Sequence, residues 1–234
     1  MGISRGKKII TDGLIFHIDA ANTRSYPGTG TILNDISGNG SNGVLTNGPT
    51  FDSSNNGSIQ FDGVNDYVDC GEFNTLTTNF TFELWIKPIG VAFNTILTGG
   101  PTLDESSALN TGFYFVYDNR ETTNYFYIYV GGYTRITNIG SFNPIEGTTY
   151  QISICGNASF TNFYANGSLI QSTTGGINFG SLDIQHLIIG ARRYYNGVNA
   201  YVNVNTYSTK IYNRALSSDE VLQNYNATKG RFGL

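Results

Sequence analysis

An all-β chain, folded as an antiparallel jelly-roll β-sandwich with one short C-terminal helix, is what these 234 residues predict. Three observations predict it. Asn-Gly pairs at Asn39, Asn42, Asn47, Asn56, Asn166 and Asn196 supply the positive φ angles of tight turns. Between them lie short runs whose apolar residues alternate, the period of a strand with one buried face. Only one segment, near the C-terminus, carries the start signal and spacing of a helix. Short strands joined by polar turns, without alternating βαβ units, describe a sandwich or jelly roll.

Taken in order, Gly13-Leu-Ile-Phe-His-Ile-Asp19 sets Leu14, Phe16 and Ile18 on one face and Ile15 and His17 on the other. Ser58 to Asp62 turns Ile59 and Phe61 inward, and Gly63-Val-Asn-Asp66 then leads into Tyr67 to Cys70, which predicts a hairpin. Phe80 to Lys87 is the clearest strand. Phe80, Phe82, Leu84 and Ile86 share its inner side, Thr81, Glu83, Trp85 and Lys87 its outer one, and Pro88 ends it because proline has no N–H for the ladder. Further strands are predicted at Phe113 to Tyr117, Tyr125 to Val130, Tyr150 to Cys155, Phe160 to Ala165, Leu187 to Gly190 and Val202 to Tyr212. Ser217-Ser-Asp-Glu220 opens the helix as a capping box, with Val221, Leu222 and Tyr225 on one face. At about two and a half turns this helix is too short to stand alone and must dock on a sheet edge or loop layer. The chain then divides into an N-terminal arm at 1–12, a sandwich domain at 13–226, and a short cationic tail at 227–234. The tail is read as a loose end or an attachment arm.

Composition narrows the function. Only 13% of residues are charged and the net charge is -4, so there is no basic footprint for nucleic acid. The first residues hold no apolar run of signal-peptide length, so membrane insertion by that route is not expected. A domain of this size buries roughly 70 to 75% of the surface its unfolded chain exposes and needs no staple. Cys70 and Cys155 allow at most one bridge and no four-ligand zinc site, and whether they pair stays open.

From about Gly13 to Tyr225 the chain resembles the laminin-G-like branch of the concanavalin A-like lectin and glucanase superfamily. The phrases that carry the resemblance are Ser25-Tyr-Pro-Gly28, the Asp35 to Gly43 turn, Phe61-Asp-Gly-Val-Asn-Asp-Tyr67, the Trp85 strand, Ala165-Asn-Gly167 and Ile211-Tyr-Asn-Arg-Ala-Leu-Ser217. The ending Asn224 to Gly233 is similar to the close of laminin-G-like proteins in the particles of large tailed bacteriophages. In one departure, Asn203 to Thr206 continue a strand's alternation where the resemblance would bring a glycine turn.

The resemblance implies a concanavalin A-like sandwich acting as a non-catalytic virion structural, decoration or fibre-associated protein. Its partners would be other virion proteins, cell-surface polysaccharide or both, its state a homo-oligomer, and its place the virion surface or otherwise the extracellular space. The alternative is a free-standing bacterial carbohydrate-binding module or adhesin. Retaining glucanases of this fold carry Glu-x-Asp-x-Glu on one strand. Here Glu83 has Thr81 and Trp85 two residues to either side, so hydrolysis is not expected and no catalytic residue is assigned. Neither His17 nor His186 stands near a serine elbow or a cysteine nucleophile.

Sugar recognition wants an aromatic ring for the apolar face of the sugar and amides or carboxylates for its hydroxyls. Two groups qualify: Glu83 and Trp85 with Tyr114, Tyr127 and Tyr129, and the loop residues Arg192, Arg193, Tyr194, Tyr195 and Asn196. The same tyrosines suit the subunit interface of an oligomer equally well. Calcium is the one cofactor left open, with Asp35, Asn39, Asp62 and Asp66 as its oxygen ligands. The alternative for those residues is a set of metal-free Asx turns.

Overall fold

Apolar side chains from two antiparallel sheets meet in one interior, and a computed structural model shows how the strands divide between them. It describes residues 8–53, 57–73, 76, 78–90, 93–100, 112–119, 125–130, 134–136, 142–176, 186–194 and 197–234. The first sheet runs β14 (Ser168–Thr174), β13 (Phe160–Ala165), β12 (Tyr150–Gly156), β7 (Phe80–Pro88), β18 (Asn203–Tyr212), β5 (Ser58–Asp62) and β4 (Thr50–Asp52), with β1 (Leu14–Asp19) also beside β18. The second runs β11 (Thr134–Ile136), β10 (Tyr125–Val130), β9 (Phe113–Asp118), β8 (Phe93–Gly100), β15 (His186–Ile189), β6 (Tyr67–Glu72), β3 (Gly43–Thr46) and β2 (Ile32–Leu33). A short ribbon pairs β16 (Arg192–Tyr194) with β17 (Gly197–Asn199). The architecture is the predicted all-β sandwich with one C-terminal helix.

The core forms as alternation requires. Phe82, Leu84 and Ile86 of β7, with Ile152, Ile154 and Ile211, face Leu97, Phe113, Phe115, Phe126, Ile128 and Leu187, all buried. Phe82 stacks on Phe113 across the two sheets at 4.8 Å between centroids. Burying a side chain of this size stabilises the fold by about 1.5–3 kcal/mol.

β18 organises the first sheet. One of its edges pairs with β7. The other pairs with β5 through Asn203 to Thr206 and with β1 through Ser208 to Tyr212. The register against β7 slips between Thr206 and Ser208, leaving Tyr207 as the extra residue of a bulge.

The predicted hairpin between Ile59 and Cys70 is corrected by the structure. β5 belongs to the first sheet and β6 to the second, so the Gly63 to Asp66 turn carries the chain across the sandwich. Ile59, Phe61, Val68 and Cys70 all enter one core, but from opposite sides. Alternation alone does not separate those two connections. Close packing at this crossing needs glycine: at Gly190, with φ +91°, a Cβ would lie 2.7 Å from the Phe61 ring.

The capping box forms as written in the sequence and opens α1 (Ser218–Thr228). Arg214 grips Glu220 through two N–H donors at 2.9 and 2.7 Å, and this pairing holds the Glu220 carboxyl at about 2. The helix docks on the outer face of the first sheet and reaches its β14 edge, where Leu222 and Tyr225 lie against the Gly167 turn. Val221 and Asn224 are its buried residues, while Leu222, expected to share a face with Val221 and Tyr225, is 42% exposed. Beneath it Cys155, Tyr164, Tyr212, Leu216 and Val221 form a second small core, with Ile10 and Leu14 against it.

This docking overturns the expected exposure of Glu83 and Trp85. Trp85 is 1% exposed, stacked between Tyr225 at 5.8 Å and Phe232 at 4.2 Å, and its Nε1–H donates to Thr228 Oγ1 at 3.0 Å. Glu83 is fully buried. Its Oε1 accepts from Lys210 Nζ at 2.8 Å and its Oε2 from Asn224 Nδ2 at 2.8 Å. Asn224 Oδ1 in turn accepts from the Ile10 N–H at 2.7 Å, so helix, sheet and the end of the arm share one network. The tail is likewise packed rather than loose. Lys229–Phe232 form a 3-10 turn, and Arg231 pairs with Asp19 at 2.8 Å. The two thiols are free and buried in different sheets, and burial pushes Cys155 up to about 12.

Two outcomes follow. Glu83→Ala leaves Lys210 buried without a counter-charge and lowers unfolding stability by about 3–5 kcal/mol, whereas Glu83→Leu combined with Lys210→Met recovers most of it, as read by denaturant melts. His17 is held neutral down to about 3, first by burial and then by neighbouring Lys210. The unfolded chain takes up that proton near 6.5, so stability falls as pH drops from about 6.5 toward 3, by up to ~1.4 kcal/mol per unit. Melts between about pH 6.5 and 4.5, above the range in which Glu220 contributes a slope of the same sign, check this slope, and His17→Phe flattens it there.

Candidate functional site

With Glu83 and Trp85 enclosed, the first predicted aromatic group divides. Tyr114, Tyr127 and Tyr129 lie on the outer face of the second sheet, on the opposite side of the sandwich. They point outward because Phe113, Phe115, Phe126 and Ile128 take the inward positions of the same two strands. Tyr114 and Tyr129 sit opposite one another in the ladder, are half-buried, and stack at 4.6 Å. Tyr127 is buried, meets Tyr129 edge-on at 5.2 Å, and donates its hydroxyl proton to Asp118 Oδ2 at 3.1 Å.

The structure joins this trio to the second predicted group. β16 packs against β8 and brings the Arg192 guanidinium over the Tyr114 ring, 5.4 Å from its centroid. Arg192 Nε–H donates to Asn199 Oδ1 at 3.1 Å, which fixes the planar fork above the ring. Arg193 is half-buried on the same ribbon. Tyr195, Asn196 and the side chain of Tyr194 lie outside the described residues. The result is a platform of stacked phenols with a cation above and Asn199 and Asp118 beside it. Sequence reasoning missed those last two. Asp118 ends the tyrosine strand, and Asn199 pairs with Arg192 across the ribbon, a relation visible only once the register of β16 and β17 is known.

The four oxygen-bearing residues proposed for calcium fall into two places. Asp35 closes its own turn. Its Oδ1 accepts from the His17 and Ser37 N–H groups at 2.9 Å each, and its Oδ2 from Ser37 Oγ at 2.8 Å, Gly40 N at 3.0 Å and Ser41 N at 3.3 Å. Donors therefore occupy the roughly four lone-pair positions of this carboxylate. Asn39 points its amide nitrogen at Ile15 O at 3.1 Å and Ser37 Oγ at 3.0 Å. Asp62 and Asp66 lie apart from these, at the crossing between the sheets, and line a hollow of about 290 Å³ with Thr50, Gln60, Asn203 and Asn205. Asp66 Oδ2 accepts from the Asp62 N–H at 3.1 Å. Burial raises the Asp66 carboxyl above the ordinary carboxylate range, and the adjacent Asp62 carboxylate adds to the rise against the pull of that N–H. Among the described residues no three of His, Cys, Asp and Glu gather as a metal site.

Comparison with known proteins identifies the family and the fold. A model of the concanavalin A-like lectin/glucanases superfamily, of the laminin-G type, matches residues 62–222, more than half of the chain. The chain belongs to this superfamily. A search of curated protein sequences gave no match. Among solved structures, the concanavalin A-like chain is similar to a Trypanosoma rangeli sialidase in complex with sialic acid, with TM-score 0.66 and 15% identity over 94% of this chain and 33% of the sialidase. It is similar also to domain 4 of a GH43 extracellular arabinanase from Geobacillus stearothermophilus, in complex with arabinotriose. There the TM-score is 0.65 and the identity 14%, over 91% of this chain and 98% of that domain. The chain thus spans about a third of the sialidase and nearly all of the arabinanase domain. At these identities the likeness is one of fold.

Asp35→Asn weakens the amide cradle of its turn and lowers the melting midpoint by the equivalent of about 1–3 kcal/mol. Calcium chloride does not restore it; calorimetry with and without the salt is the check.

Proposed function

We propose that this concanavalin A-like domain is a non-catalytic recognition module of a bacteriophage particle, carried on the virion surface as a homo-oligomer and directed at cell-envelope polysaccharide. The observation that carries the recognition role is the Tyr114–Tyr129 stack with Arg192 held over it. A sugar ring lays its C–H face on a phenol, while the guanidinium, Asn199 and Asp118 take its hydroxyls. Arg192 and Arg193 extend the range to sugars bearing a carboxylate, which match a planar fork of donors. Superfamily membership supports a carbohydrate-binding type of domain. The virion setting is supported by the resemblance of the Asn224 to Gly233 ending to laminin-G-like phage proteins. Against catalysis stands the burial of Glu83 in an ion pair with Lys210, where no substrate reaches it.

A second reading has its own support. The arabinanase domain that this chain matches along nearly its full length was seen with arabinotriose. That favours a carbohydrate-binding module serving a bacterial enzyme or adhesin, with the same platform as its site.

A glycan array probed with the purified chain gives hits that fall at least about tenfold in Tyr114→Ala and in Arg192→Ala, both still folded, since one stacked ring or one charge-assisted bond carries that much. Hits indifferent to both changes remove the platform from the account. Mass spectrometry of purified particles finds the chain if the virion setting holds, and its absence there leaves the bacterial module.

A further inference from the structure

The helix and tail do not cover the first sheet to its end. Beyond Trp85 the outer face of β18 continues as Asn203 and Asn205, which stand opposite Asp62 and Gln60 of β5 in the ladder. Thr50 of β4 and Ile89 complete the wall of the 290 Å³ hollow described above. Gln60 is engaged, donating to Asp52 Oδ2 at 3.0 Å. The two asparagines are not: neither side chain has a hydrogen-bond partner among the described residues, although Asn205 is only 2% exposed. The Asn205 amide opens on the hollow and has little other solvent to bond, so its donors and acceptor are available to a partner from outside the chain. Across from it, Asp66 is 4% exposed and Asp62 is beside it.

We propose that this hollow binds one unit of a neutral, hydroxyl-rich ligand, a saccharide residue or polyol, through the Asn203 and Asn205 amides on one wall and the Asp62–Asp66 carboxyl pair on the other. A hydroxyl both donates and accepts, so it bridges an amide N–H and a carboxylate oxygen at once. The volume sits near the lower end of the ~300–1,000 Å³ usual for small-molecule sites and suits a single ring rather than a bare ion. The charged groups that line the hollow are Asp62 and Asp66, with Lys87 only next to it, opposite Asn205 in the ladder, so an acidic sugar would meet two aspartates first. Ile89 offers its apolar side to the C–H face of a ring. The hollow lies on the opposite sheet from the tyrosine platform and stands independently of it.

The test is a titration of the ¹⁵N-labelled chain with D-glucose, D-galactose, D-mannose and L-arabinose, following the Asn203 and Asn205 side-chain amide signals by NMR. At least one sugar is expected to move both signals saturably. Asn205→Ala, which deletes an unpartnered polar group, melts no lower than the parent yet weakens that binding at least about tenfold. If Asn205→Ala disturbs the backbone spectrum, Asn203→Ala at the more open end reads the same loss. Tyr114→Ala leaves the response intact, so failure of the platform and failure of the hollow are told apart. No movement with any of the four sugars overturns the proposal. Movement with calcium chloride alone, or equal movement with N-acetylneuraminate, overturns it in favour of a cation or an acidic sugar.

Discussion

Lys210 and Glu83 meet at 2.8 Å on a sheet face from which water is excluded, and the arrangement of everything else follows from how that face is closed. An unpaired charge there would be untenable, so the pair and Asn224 have to form together. That requires α1 in place. The helix in turn depends on its capping box and on the Arg214 clamp on Glu220, because eleven residues do not hold a helix in water unaided. Tyr225, Thr228 and Phe232 then close over Trp85, and Arg231 fastens the tail to Asp19. The centre of the first sheet is thereby buried on both faces, as in a three-layer protein, while the second sheet keeps an outer face with partly open tyrosines.

This accounts for what the sequence showed and what it hid. The inward set on β7 was legible because Phe80, Phe82, Leu84 and Ile86 repeat at the period of a strand, and the helix start was legible because Ser217 and Glu220 stand three apart. Alternation tells which residues share a face. It does not tell how many layers lie above that face, and for that reason Trp85 and Glu83 read as surface. The platform was half legible: Tyr114, Tyr127 and Tyr129 do face outward, and Arg192 does join them. Their union with the β16 ribbon instead of with Trp85 depends on which sheet each strand enters, a long-range fact with no local signature. The Phe61 to Asp66 turn shows the same limit, since its glycine and aspartates serve a crossing between sheets as readily as a hairpin.

Both surfaces proposed for recognition lie beyond the cover of α1 and the tail. The tyrosine platform lies on the second sheet, away from α1, and the asparagine hollow lies on the stretch of β18 beyond the tail's reach. One strand thus runs from an open polar end, through the Tyr207 bulge, to a closed polar end at Lys210 and Tyr212. In the closed half Lys210 and Tyr212 bond to Glu83 and to Ile10 O within the chain; in the open half the Asn203 and Asn205 side chains have no such partner among the described residues.

The central claim, that the C-terminal helix and tail seal the outer face of the first sheet and leave recognition to other surfaces, is tested most directly by the fluorescence of the single tryptophan. The account predicts that Trp85 emission is that of a dry environment, resists iodide quenching, and does not change when a bound saccharide is added. Ready quenching of Trp85 in the free protein, with protection on adding a saccharide, would contradict it and return the binding surface to the first sheet.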